Sequence, residues 1–154
     1  MRTLVLSLCF ALTLAIPTRS PAQDLPPIAP HTDPARVPQV VFDGLAELRR
    51  DRLDDAENAW RKDSSFLQPG AASGALRTFK QNDGEFQDFE VIAINEVAQR
   101  TRVVYLVLNY ERQPHFARFI AYRTAKEWIL LQLDLNIDMA TMQADLANRT
   151  VCGD

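Results

Sequence analysis

Residues 115–136, HFARFIAYRTAKEWILLQLDLN, hold two runs of β-branched and aromatic side chains around a turn at Ala125-Lys126. They read as a β-hairpin, but apolar side chains occupy both parities of nearly every position. A sheet with one wet face alternates apolar and polar residues, so this hairpin belongs to a sheet covered on both sides. Upstream, Glu85 to Ala98 and Thr101 to Arg112 share the same period of about two. The links Gln99-Arg100 and Gln113-Pro114 are short, which favours antiparallel neighbours in sequence order.

Further out the period changes. Val41, Leu45, Leu48, Arg52, Ala56 and Trp60 recur at three or four residues with charges between them, the pattern of an amphipathic helix. Gly44 or the charged run RRDRLDD at 49–55 is placed to divide it in two. Gln68-Pro69-Gly70 stops it, Ala71 to Phe79 predicts a third helix, and Asn82-Asp83-Gly84 predicts a turn. A last helix is expected from Asp138 to Asn148, with Met139, Met142 and Leu146 on one side. Helices followed by a meander of strands give an α+β fold: N-terminal helices packed on a curved four-stranded antiparallel sheet, with a short C-terminal helix.

With two-residue turns throughout, residues opposite one another share a face. One face then carries Phe89, Val91, Ala93, Val104, Leu106, Leu108, Tyr110, His115, Ala117, Phe119, Ala121, Trp128, Leu130, Gln132, Asp134 and Asn136. The other carries Ile92, Ile94, Val103, Tyr105, Val107, Asn109, Phe116, Arg118, Ile120, Tyr122, Ile129, Leu131, Leu133 and Leu135. The N-terminal helices can cover one. The other is expected to be covered by a second copy, making a homodimer, with the C-terminal helix as a partial shield. Arg118 among apolar neighbours is expected to pair across that dimer or to reach an edge along its stem.

The N-terminus reads as an export signal. Arg2 supplies a positive charge, Leu4 to Ile16 is an apolar run too short to span a bilayer, and Ser20-Pro21-Ala22 offers a cleavage site. Cys9 follows Leu8, which argues against lipid attachment. The expected organisation is a signal peptide at 1–22, a proline-rich extended tether at 23–38 and one domain at 39–150, in a periplasmic or secreted protein. Cleavage would leave 132 of the 154 residues, enough for a real core. It would also remove Arg2 and Arg19 from 17 basic residues, leaving 15 against 20 acidic ones. That balance argues against nucleic acid or an anionic membrane as partner, and no later segment is apolar enough to be an integral membrane span. Cys152 would be the lone remaining cysteine, so no internal disulfide is expected.

GEFQDFEVI at 84–92, VVYLVLNYE at 103–111 and FARFIAYRTAKEWILLQL at 116–133, preceded by helices, resemble the nuclear-transport-factor-two-like superfamily of cystatin-like α+β cones. The similarity runs from about Gln39 to Asn136, and Phe119, Tyr122, Arg123 and Trp128 are its most specific part. Those residues are packing signatures. The resemblance implies a cone with a pocket between helices and sheet, and commonly a dimer through the outer sheet face. Its members include isomerases, cyclases, dehydratases, ligand carriers and exported modules without known activity, so it chooses no reaction.

The candidate site comes from the first face, where the assumed register sets Ala117 between Tyr110 and Asp134, with His115 and Asn136 one pair along. Tyr110, His115, Phe119, Trp128, Gln132 and Asp134 would line a ligand pocket. The first functional expectation is an exported, non-catalytic module binding a small apolar ligand or a protein partner. The alternative is a small isomerase or dehydratase-like enzyme, with Asp134 moving a proton and Tyr110 or His115 stabilising an oxyanion. A strand-end reading competes, since carboxylates and amides collect where strands terminate. No cofactor is expected: His31 and His115 are the only histidines, and there is no phosphate-binding glycine loop, CxxC or HExxH. Glu90, Glu96 and Glu111 read as solvated rims, Ser64, Ser65 and Ser73 lack a nucleophile elbow, and Asn148-Arg149-Thr150 reads as a chance glycosylation triplet.

Overall fold

A computed structural model describes residues 33–147; the expected export signal, the expected tether as far as residue 32, Asn148-Arg149-Thr150 and Cys152 lie outside them. A 3₁₀ turn at Pro34–Arg36 opens the described chain, with the Asp33 carboxylate accepting from the Ala35 amide at 2.9 Å. Pro34 has no amide to lose at the start of this turn. The last part of the expected tether is therefore folded rather than extended, and Val37 behind it is buried in the core.

Helices α1 (Gln39–Leu48) and α2 (Leu53–Arg61) form an antiparallel hairpin. The break falls in the charged run, where Asp51 takes a positive φ of 60°. Gly44 lies inside α1 and is used for contact instead: a Cβ there would collide with the Trp60 indole ring. That close approach seats Trp60, which is 0 % exposed and donates to the Val41 carbonyl at 3.1 Å. Helix α3 (Ala71–Asp83) comes next and ends at Gly84, whose φ of +86° reverses the chain into the sheet.

The sheet is a meander of β1 (Phe86–Ala98), β2 (Thr101–Tyr110), β3 (Pro114–Arg123) and β4 (Trp128–Ile137), antiparallel in sequence order. Helix α4 (Met139–Ala147) returns along it. The Asp138 side chain starts α4 by accepting from the Thr141 amide and hydroxyl, and these bonds hold its carboxyl below the usual carboxylate range. The fold is α+β, with the N-terminal helices on the inner sheet face and α4 on the outer.

Bulges revise the face assignment. β1 shifts register between Phe86 and Asp88, Val91 and Ala93, and Glu96 and Ala98; β4 shifts within the segments opposite Ile120–Ala121 and Phe116–Ala117. Each extra residue inverts the parity of the strand beyond it. Ile94, Leu133 and Leu135 therefore join the inner core, whereas Ala93, Gln132 and Asp134 turn outward. The β2–β3 register also differs from the two-residue turn assumed at Gln113-Pro114, since Ala117 faces Leu106 rather than Tyr110. That shift is even, so the faces of β2 and β3 keep their assignment.

The main core joins Val41, Leu45, Leu48, Trp60 and Leu76 from the helices to Val104, Leu106, Leu108, Phe119 and Leu130. Trp60 meets Phe119 edge-on at 5.4 Å. Trp128 packs against this core but is only half-buried, with the Arg102 and Arg123 guanidiniums 4.8 and 5.9 Å from its ring centre. On the outer face Met142 and Leu146 pack with Val103, Tyr105, Phe116 and Ile120 in a second, smaller core.

Candidate functional site

The predicted acid–base group is not assembled. Asp134 lies on the outer face, opposite Arg118, whose Nε and Nη2 donate to it at 2.9 and 2.7 Å. Arg118 also donates to Asp145 at 2.7 Å, and Tyr105 donates to the same carboxylate at 3.1 Å. Arg118 thus finds its acids within its own chain, one from β4 and one from α4. Burial would lower its pKa, but Asp134 and Asp145 more than offset this and raise it. Asp134 is thus committed to this ion pair, and β4 carries it away from Tyr110 and His115.

Tyr110 and His115 do meet, on the inner face, with rings edge-on at 5.5 Å. Phe79 of α3 stacks on His115 at 3.7 Å and stands edge-on to Tyr110 at 5.8 Å. His115 Nε2 lies 2.8 Å from Asp83 and Nδ1 lies 3.0 Å from Asn136. Asp83 itself is buried. Desolvation acts to raise its carboxyl, but hydrogen bonds from Gln113 and His115 and the charge of Arg112 hold it below the ordinary range. The surrounding bonds show what this cluster does: the Arg112 amide donates to Asp83 O at 3.0 Å, the Arg112 guanidinium to Asn82 O at 2.8 Å, and the Glu111 amide to Glu85 O at 3.1 Å. Together they clasp the α3–β1 turn to the β2–β3 hairpin. The Tyr110 hydroxyl is buried and makes no hydrogen bond among the described residues; desolvation, then the charges of Asp51 and Asp83, push its pKa upward. The ring itself packs edge-on against Phe79, Phe86 and His115.

Concavity lies elsewhere. A cleft of about 430 Å³ opens between the α2–α3 connection and the edge strand β4. Trp60, Leu67, Ala72, Ala75, Leu133 and Leu135 give it apolar walls, and Arg61, Gln68, Gln132 and Asp134 also line it. Of the six predicted pocket residues, only Gln132 and Asp134 line this cleft. Phe119 is sealed beneath Trp60, and Tyr110, His115 and Trp128 stand away from it.

The Glu57 carboxylate also lines the cleft but is already engaged. Helix α3 begins at Gly70, which has no side chain to cap it. Glu57 reaches across from α2 and accepts from the Gly70 amide at 2.5 Å and the Ser73 amide at 2.7 Å. Burial would raise its pKa, but these bonds, the Ser73 hydroxyl and the nearby Arg61 charge bring it below the usual value. Sequence reading overlooked Glu57 because its partners lie 13 and 16 residues away, outside any local capping pattern. Leu133 and Leu135 were overlooked because the β4 bulge is what turns them inward. Among the described residues no group of His, Cys, Asp and Glu is arranged to hold a metal ion.

No family model matches the chain, and neither a curated protein nor a solved structure matches it.

Proposed function

We propose that this protein is an exported, non-catalytic binding module that takes a small apolar ligand in the cleft between α2, α3 and β4. The observation that carries the reading is the cleft's volume of about 430 Å³ together with its apolar walls, a size and lining suited to a small molecule. Its deepest carboxylate, Glu57, is spent on the α3 N-terminus, so the site offers an apolar ligand contact area more than it offers a base. The isomerase or dehydratase alternative draws less support, because Asp134 is held by Arg118 on the opposite face from Tyr110 and His115. The helices-on-curved-sheet arrangement agrees with a nuclear-transport-factor-two-like cone, and that kinship is part of the proposal. So is a homodimer through the part of the outer face that α4 leaves half-buried, around Val107, Tyr122 and Ile129. Sedimentation equilibrium tests the dimer, and a mass of one chain at micromolar concentration removes it.

Nile red, a neutral apolar dye, is the probe for the cleft. The wild-type protein is expected to bind it saturably, and Ala72→Trp, which fills the cleft from α3, to abolish binding with the unfolding midpoint retained. No saturable binding by wild type, or equal binding by the folded Ala72→Trp variant, overturns the assignment.

A further inference from the structure

Folding gathers positive charge at one end of a chain whose formal net charge is −3. The β1–β2 turn carries Arg100, the end of β3 carries Arg123 and the β3–β4 connection carries Lys126; the Arg123 amide donates to the Arg100 carbonyl at 2.8 Å, so the two hairpin tips lie side by side. Arg102 and Arg36 join them, the first donating to the Arg36 carbonyl at 2.7 Å. Among the described residues only one carboxylate, Glu96, pairs with these five cations: it lies 3.0 Å from Arg36 and 3.0 Å from Arg102, and this double pairing lowers its pKa. Arg100, Arg123 and Lys126 are exposed and have no carboxylate partner among the described residues.

Apolar groups protrude at the same end. The bulge between Glu96 and Ala98 turns Val97 out to 66 % exposure, and Phe66 is 63 % exposed. Phe66 belongs to a loop held to this end by the Lys62–Glu127 ion pair and by the Ser64 hydroxyl on the Leu130 carbonyl. Of the three large exposed apolar side chains among the described residues, Val97 thus lies beside the cations and Phe66 on the adjoining loop, where it also lines the cleft between α2, α3 and β4. The cleft between α2, α3 and β4 does not include the five cations.

We infer that this end of the sheet is a peripheral docking surface for an anionic phospholipid bilayer. The cations attract the phosphate-bearing headgroups, while Val97 and Phe66 enter the interface between headgroups and chains. A free phosphate ion would use the cations alone, and an acidic peptide would leave the protruding Val97 in water.

Flotation of the full chain with phosphatidylglycerol–phosphatidylcholine vesicles at low and high sodium chloride tests this. Binding is expected to the anionic vesicles, not to phosphatidylcholine alone, and to fall steeply with salt as the charges are screened. Each cation is expected to contribute about five-fold in affinity, so the Arg100→Glu, Lys126→Glu double variant should lose about 25-fold or more. Val97→Ser with Phe66→Ser should weaken binding at fixed salt, and Arg50→Glu, beyond the far end of α1, should not. Inorganic phosphate at matched ionic strength should not compete. Absence of vesicle binding at low salt, equal loss in Arg50→Glu, displacement by phosphate, or equal affinity for soluble poly-glutamate would each overturn the inference. Circular dichroism confirms that every variant compared is folded.

Discussion

Replacing Glu57 separates a tertiary helix cap from an ordinary buried carboxylate. Its two oxygens accept from the Gly70 and Ser73 amides at 2.5 and 2.7 Å, and Ser73 is buried, so its amide has no route to water once the acceptor is gone. Hydrogen bonds to a charged group contribute roughly 1.5–3 kcal/mol, and an orphaned buried donor costs about 1–3 kcal/mol, overlapping quantities that must not be added in full. Glu57→Ala is therefore expected to lose about 2–4 kcal/mol, and Glu57→Gln, which keeps one acceptor and drops the charge at the helix start, about 1–2 kcal/mol. The pH dependence has a definite sign. The folded pKa lies below the unfolded one, so this stabilisation is fully present above the unfolded carboxyl range and is lost as pH falls through the folded pKa. Urea unfolding of wild type and Glu57→Gln at pH 7 and across the acid range measures both effects. The variant should show the smaller loss of stability on acidification. A Glu57→Ala midpoint within error of wild type, or identical acid profiles for wild type and Glu57→Gln, would refute the cap.

Gly44→Ala gains roughly 1 kcal/mol of helix propensity but drives a methyl group into the buried Trp60 ring, so a net destabilisation of about 2 kcal/mol or more is expected by urea unfolding. Trp60→Ala should cost roughly 3–5 kcal/mol, whereas Trp128→Ala, half-buried beneath Arg102 and Arg123, should cost about 1–2 kcal/mol; equal losses would contradict the burial order. Tyr110→Phe removes a buried hydroxyl that has no partner among the described residues and is expected to be neutral or stabilising by up to about 1 kcal/mol, so a loss above about 1 kcal/mol in thermal unfolding would show that the hydroxyl is bonded in solution. Arg118→Met leaves Asp134 and Asp145 facing each other without their cation, and α4 should loosen; faster amide exchange at Met142 is the expected readout.

The α+β class, the strand order, a division of the helical segment, though not whether Gly44 or the charged run made it, and the apolar character of both sheet faces were legible in the sequence. Each is a consequence of periodicity and turn chemistry acting over a few residues, where chain neighbours are also spatial neighbours. The proximity of Tyr110, His115 and Asn136 was legible too, although through an incorrect strand register. What tertiary structure decided began with the bulges. One extra residue in β4 carries no compositional mark, yet it turns Asp134 away from the inner face and brings Leu133 and Leu135 toward it. Glu57 illustrates the same limit: in sequence it is one more charge on an amphipathic helix, and only the packing of α2 against α3 makes it a cap. The charge balance argued against an anionic surface because composition averages over the whole molecule. Pairing the β1–β2 and β3–β4 tips concentrates Arg100, Arg123 and Lys126 at one end, and a docking surface responds to that local density rather than to the sum.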